Sequence, residues 1–219
     1  IAEVKAQLDE YGFNMDVVES VNVHDDIKIG LPTRDMYIEN YKQTIRNLSK
    51  YGVKVICYNF MPVIDWVRTD LYHPWADGSS SLYYDRVRFA YFDTKILKRE
   101  GAEQDYTAEE LEKVEALDKV ITEAEKDDLV DTIIVKTQGF VNGNIKEGDK
   151  NPVSIFRNLL ALYKGIDRDQ LRENMRYFLA AIMPVCEEYG VNMCVHPDDP
   201  PFQILGLPRI VTDGEDIAW

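Results

Sequence analysis

Positive charge is scarce in this 219-residue sequence: 25 Lys and Arg stand against 39 Asp and Glu, for a formal net charge of −14. Nucleic-acid binding needs clustered cations over phosphates, so that balance argues against a nucleic-acid partner and equally against an anionic membrane surface. A small anion remains admissible if an arginine or a metal ion supplies positive charge locally. Cysteine is scarce too. Cys57, Cys186 and Cys194 are odd in number, irregularly spaced and without a C-x-x-C pair, the usage expected of a reduced, cytoplasmic protein. No apolar run approaches the roughly 20 residues of a membrane span, and no signal-peptide pattern is visible. Also missing are a phosphate-cradling glycine loop, a nucleophile elbow and a dinucleotide fingerprint. What is present is a globular composition, 45% hydrophobic and 29% charged, able to bury a sizeable core. The chain opens on an amphipathic helix pattern, IAEVKAQLDEYG, and closes on GEDIAW. Neither reads as a natural terminus, so a fragment of a longer protein is expected.

Three segments share one design: YGFNMDVVES (residues 11–20), YGVKVICYNF (51–60) and YGVNMCVHPD (189–198). Each starts with Tyr-Gly after a helix pattern, continues as a short apolar run and ends in polar residues. Gly12, Gly52 and Gly190 sit where a left-handed helix stop belongs. The pattern predicts helix, glycine stop, buried strand and polar loop. Repeated helix-then-strand units favour a parallel sheet. The expected fold class is α/β, a (β/α)8 TIM-type barrel present as an incomplete fragment, with a doubly wound open sheet as the alternative. Residues 1–219 are expected to form part of one barrel domain. The long stretch between the second and third copies predicts a mainly helical insertion over 69–151, a candidate lid or subunit contact in a homo-oligomer. In a (β/α) barrel the active site forms where the strands end. Those ends carry Glu19 and His24, then Tyr58 and Asn59, then His196 and Asp198.

Helices are legible from periodicity and caps. Thr33 can start a helix running to about Lys50, with Ile38, Tyr41, Ile45 and Leu48 on its apolar face. Thr107 with Glu110 predicts a capping box. Residues 102–131, rich in acidic side chains alternating with Lys, read as a solvated face. NIKEGDKN (144–151) reads as a polar loop. A further helix is expected from about Arg168 to Tyr189, with Pro184 kinking it.

The stretch His196-Pro197-Asp198-Asp199-Pro200-Pro201 places an imidazole at a strand end beside two carboxylates on a proline-stiffened loop. Imidazole with carboxylate suits Mn, Fe or Zn rather than Ca. One His is not a metal site, which needs three or more protein ligands, and a hydrogen-bonded strand-end His with turn-forming Asp residues explains the same letters. Tyr58, Asn59, Asp65 and Arg68 bring hydroxyl, amide, carboxylate and guanidinium groups together after the second strand. That mix suits a polyol bearing a carboxylate, which Arg can bind through two hydrogen bonds. The plainer reading pairs Arg68 with Asp65 or Asp70 to fix the loop. A lone His such as His24 is more often structural, and His73, beside Pro74 and Trp75 in an expected loop, is assigned no role. Tyr83, Tyr84, Phe89, Tyr91 and Phe92 read as packing.

YNFMPVIDWVRTDL (58–71), NYKQTIRNL (40–48), ILKREGAEQDYT (96–107) and HPDDPPFQILGLPRIV (196–211) together resemble the bacterial mannonate dehydratase family, essentially from end to end. The resemblance implies a xylose-isomerase-like barrel and metal-dependent dehydration of D-mannonate to 2-keto-3-deoxy-D-gluconate in hexuronate breakdown, with Mn2+ or Fe2+. A metal-dependent sugar isomerase or epimerase of the same barrel type is the alternative. The family's metal is held by a His, a Cys, a second His and an Asp. Only the first maps here, onto His196, and none of the three cysteines occupies the matching motif. Tyr58, Asn59, Arg68 and Asp198 are the substrate-binding candidates. The catalytic acid and base are expected outside this chain.

Overall fold

The computed structural model describes residues 1–138, 145 and 151–219. In chain order its elements are α1 (Ala2–Glu10), β1 (Val17–Val18), α2 (Asp25–Ile29), α3 (Arg34–Ser49), β2 (Val55–Tyr58), β3 (Asp70–Pro74), β4 (Ser80–Tyr83), α4 (Arg86–Tyr91), α5 (Ala108–Asp118), α6 (Glu123–Val130), α7 (Pro152–Leu162), α8 (Arg168–Tyr189), β5 (Asn192–Val195) and α9 (Gly214–Ala218). The chain divides into two compact units. One comprises residues 1–62, 166–198 and 209–219; the other comprises 63–165 and 199–208. The polar loop expected at 144–151 lies outside the described residues except for Ile145 and Asn151.

The first unit is α/β. Its three strands are those of the Tyr-Gly repeats, in the order β1-β2-β5, all parallel. Val17 stands beside Val55, which stands beside Asn192, and the register continues through Cys57 and Cys194 to Tyr58 and Val195. The glycine stops behave as the repeat predicts: Gly12, Gly52 and Gly190 all have positive φ, and Gly190 closes α8 in the left-handed region at φ 63°. There its N–H donates to Glu187 and the following Val191 N–H to Cys186 O, so the chain leaves the helix already turned into β5.

The core of this unit lies between the sheet and the α3–α8 pair. The four apolar residues spaced along α3, Ile38, Tyr41, Ile45 and Leu48, are all buried. They meet Leu171, Phe178 and Ile182 of α8 and Ile56 and Tyr58 of β2 in one cluster. Phe178 is its hub, with the Tyr41 ring edge-on at 5.0 Å and Tyr58 and Phe60 each at 6.0 Å. Burial alternates along β2: Ile56 and Tyr58 face the helices, while Val55 and Cys57 lie on the less covered face. α1 has an amphipathic pattern but buries no residue.

The second unit is built from a hairpin and four helices. β3 and β4 pair antiparallel, with an irregularity between Asp70 and His73. Phe89, Phe92 and Phe156 are fully buried. The capping box at Thr107 and Glu110 is present, and a second one follows at Thr122 and Glu125. Both glutamates do double duty, since Glu110 also accepts from Arg86 and Glu125 from Arg88, which ties α4 to the starts of α5 and α6. α4 and α6 each continue as a π-helical turn, over Phe92–Leu97 and Asp131–Lys136. Asp93, on the first of these, is fully buried and accepts from Arg99 and from the Tyr106 hydroxyl.

Candidate functional site

Parallel strands bring their C-terminal ends to one edge, and that edge carries Glu19, Tyr58 and His196. Glu19 is the first residue past β1, and Ser20 after it has φ +61°. His196 is the first residue past β5; its N–H donates to the Tyr58 carbonyl at 2.7 Å, extending the ladder by one step. The imidazole Nδ1 is 2.6 Å from the Pro197 carbonyl. A carbonyl only accepts, so Nδ1 carries the hydrogen in this contact, and in the neutral imidazole Nε2 is then the acceptor nitrogen. Nε2 lies 3.8 Å from Glu19 Oε1, and both side chains keep substantial solvent exposure. An imidazole whose Nδ1–H is anchored to a carbonyl shares the arrangement that metal-ligating histidines adopt.

The neighbouring candidates are placed differently. The Tyr58 ring is in the core against Phe178, and its phenol is pushed above the ordinary tyrosine range by burial first and then by the Cys194 and Cys57 thiols nearby. What Tyr58 presents at the strand end is its carbonyl. Asn59 is 5% exposed. Asp198 is buried and occupied: one carboxylate oxygen accepts from the Ile210 and Val211 N–H groups at 2.7 Å each, and the other is 3.4 Å from Arg209. Asp198 N–H in turn donates to the Val211 carbonyl at 2.9 Å. Arg209, fully buried, lies within the quoted LPRIV stretch, but nothing in its local pattern marks it as the partner of an aspartate eleven residues earlier.

Arg68 belongs to the second unit. Its guanidinium grips Asp199 through two parallel hydrogen bonds of 2.8 Å and also donates to the Val67 carbonyl. Neither Asp65 nor Asp70 is its partner, contrary to the pairing sequence proximity suggests. The Asp65 N–H donates to the Gln138 side chain, and Asp70 accepts from the Tyr72 N–H and lies 3.3 Å from His73. The other two histidines make local contacts, and His73, expected in a loop, lies instead in β3. His24 caps α2, its Nδ1 accepting from the Asp26 N–H, and stacks on Tyr37 at 3.4 Å. His73 stacks on Tyr83 across the hairpin at 4.1 Å.

Among the described residues, no group of three or more His, Cys, Asp or Glu side chains could hold a metal ion by itself. His196 is one suitable donor at this sheet edge, and it fits a divalent-metal site only as part of a ligand set that needs further donors.

Comparison with known proteins decides the family. The model of the D-mannonate dehydratase (UxuA) family matches residues 1–219, the whole chain. The chain belongs to the D-mannonate dehydratase family. It is 44% identical over 218 residues to a mannonate dehydratase of Geobacillus thermodenitrificans, covering 99% of this chain and 49% of that protein. It is 43% identical over 219 residues to one of Chromohalobacter salexigens, covering all of this chain and 54% of that protein. The crystal structure of mannonate dehydratase from Streptococcus suis serotype 2 superposes with a TM-score of 0.65 at 33% identity, covering 99% of this chain and 46% of that one. The chain thus spans about half the length of the family members it matches.

Proposed function

We propose that the complete protein dehydrates D-mannonate to 2-keto-3-deoxy-D-gluconate in hexuronate catabolism. We further propose that it does so on a (β/α)8 barrel of which β1, β2 and β5 are three strands, with residues 69–151 as an insertion. Family membership along the whole chain supports the reaction. The observation that carries the site is the half-exposed His196 imidazole, held through Nδ1 at the Pro197 carbonyl at the C-terminal end of a parallel strand, where such barrels gather their chemistry.

The reaction removes a weakly acidic proton α to a carboxylate and expels a β-hydroxyl; the enol that results becomes the keto acid. A Mn2+ or Fe2+ ion held in part by His196 would supply Lewis-acid stabilisation of charge developing on substrate oxygens. The Pro197 carbonyl favours the neutral tautomer with the hydrogen on Nδ1, the one whose Nε2 can ligate an ion. Asp198 and Arg209 hold the following loop through buried hydrogen bonds, so the His-Pro-Asp backbone is set before substrate arrives. Asn59 and the Tyr58 backbone frame the edge. Arg68 is assigned to the substrate carboxylate on charge: a −14 chain must concentrate a cation to hold a hexonate. In the described structure that guanidinium is shared with Asp199. We place the enzyme in the cytoplasm on its cysteine usage, and regard a homo-oligomer as compatible with the insertion.

The test is the product made by the full-length protein from D-mannonate. A 2-keto-3-deoxy acid, detected with thiobarbiturate after periodate oxidation, supports the reading. An isomerised or epimerised sugar acid without that product would replace it with the isomerase reading.

A further inference from the structure

We propose that Glu19 is a substrate-contacting carboxylate of this site, accepting a hydrogen bond from a hydroxyl of the sugar acid beside His196. The inference rests on the dehydratase reading above and adds a residue to it. Glu19 stands at the right place by topology: the first position past β1, at the same sheet edge as His196 and the Tyr58 carbonyl. Its carboxylate is available. The 3.8 Å to His196 Nε2 is too long for a hydrogen bond, and the side chain is 63% exposed. Asp198, by contrast, has its oxygens filled by Ile210, Val211 and Arg209, and the Tyr58 phenol is in the core. Of Glu19, Asp198 and Tyr58 at this edge, Glu19 is the one whose carboxylate or phenol is exposed and makes no hydrogen bond among the described residues.

The backbone points the same way. Ser20 holds φ +61° without being glycine. Such a conformation costs free energy and is retained where the surrounding structure requires a particular chain exit, often beside functional residues. Here it fixes the turn immediately after Glu19. Charge then sets what Glu19 can take. A carboxylate repels the carboxylate of the substrate and attracts its hydroxyl donors, so Glu19 would select the polyol portion and orient the acid group away from itself.

The experiment uses the full-length protein, with Glu19→Gln and Glu19→Ala, D-mannonate and a set of mono-deoxy mannonates. Thermal melting checks that the variants fold, and metal content is measured alongside kinetics. The expected result is unchanged metal content, KM for D-mannonate raised about tenfold or more, and selective loss of discrimination against one deoxy analogue, the one lacking the contacted hydroxyl. Unchanged KM with all analogues still discriminated would overturn the proposal. So would loss of metal from Glu19→Gln, which would make Glu19 a ligand of the ion instead. Wild-type turnover separates the two levels: product from the wild type with an unaltered variant sinks Glu19 alone, whereas no product from the wild type sinks the dehydratase reading with it.

Discussion

Removing the Asp198 carboxylate would leave the Arg209 guanidinium, itself without solvent exposure, beside an empty acceptor position and strip the Ile210 and Val211 N–H groups of their partner. Breaking a buried ion pair from one side costs about 3–5 kcal/mol. Asp198→Ala should therefore destabilise the full-length protein by roughly that amount in denaturant unfolding, with Asp198→Asn less damaging because it keeps one acceptor oxygen. A loss within about 0.5 kcal/mol of wild type, the range of an ordinary surface substitution, would contradict the role. Asp216 offers a test in pH. Burial works to raise its pKa, but hydrogen bonds from Thr212 and from Arg172 and Arg168 outweigh burial and hold the carboxyl well below its usual range. A carboxyl depressed in the folded state contributes its stability in full above the unfolded value, near about 3.9, and loses it as pH falls through the folded one. Asp216→Asn should lower stability at neutral pH and flatten the acid limb of the stability profile below about pH 4; an acid limb identical to wild type would show the network contributes nothing. At this scale the sequence is only partly readable. The strand-end place of His196 is readable because the third Tyr-Gly repeat runs straight into it, whereas the Arg68–Asp199 fork joins residues 131 apart and leaves no local trace.

Elements were more legible than their partners. α3 could be read with its buried face intact because four apolar residues at helical spacing need no tertiary information. The three strands could be read because each follows a glycine that must turn left-handed. One of those turns, Gly190, makes a paired prediction with the left-handed stop of α2 at Gly30. At Gly190 an added Cβ meets nothing within 4 Å, so Gly190→Ala carries only the left-handed backbone penalty, about 1–2 kcal/mol. At Gly30, the left-handed stop of α2, a Cβ would lie 2.8 Å from Asn174 Oδ1, whose amide donates to the Lys28 carbonyl. Gly30→Ala should cost clearly more than Gly190→Ala in thermal unfolding, and equal costs would contradict the contact. The hairpin β3–β4 was not legible: Asp70–Pro74 contains a terminal proline and Ser80–Tyr83 opens on serines, so neither shows the apolar alternation of a half-buried strand. The π-helical turns after α4 and α6 likewise have no sequence period of their own.

At the scale of the whole molecule, this chain contributes a parallel sheet edge and spans about half of the related mannonate dehydratases. That division explains why the family resemblance was plain while most of the ligand set was not: the family is written along the entire chain, but a metal centre needs more donors than His196. The central claim is that His196 binds the ion of the complete enzyme through Nε2. The most direct measurement is the divalent-metal content of full-length His196→Ala against wild type, purified in parallel and matched for folding by circular dichroism. The account predicts metal well below the wild-type stoichiometry, together with loss of 2-keto-3-deoxy product. Wild-type metal content in a folded variant would contradict it.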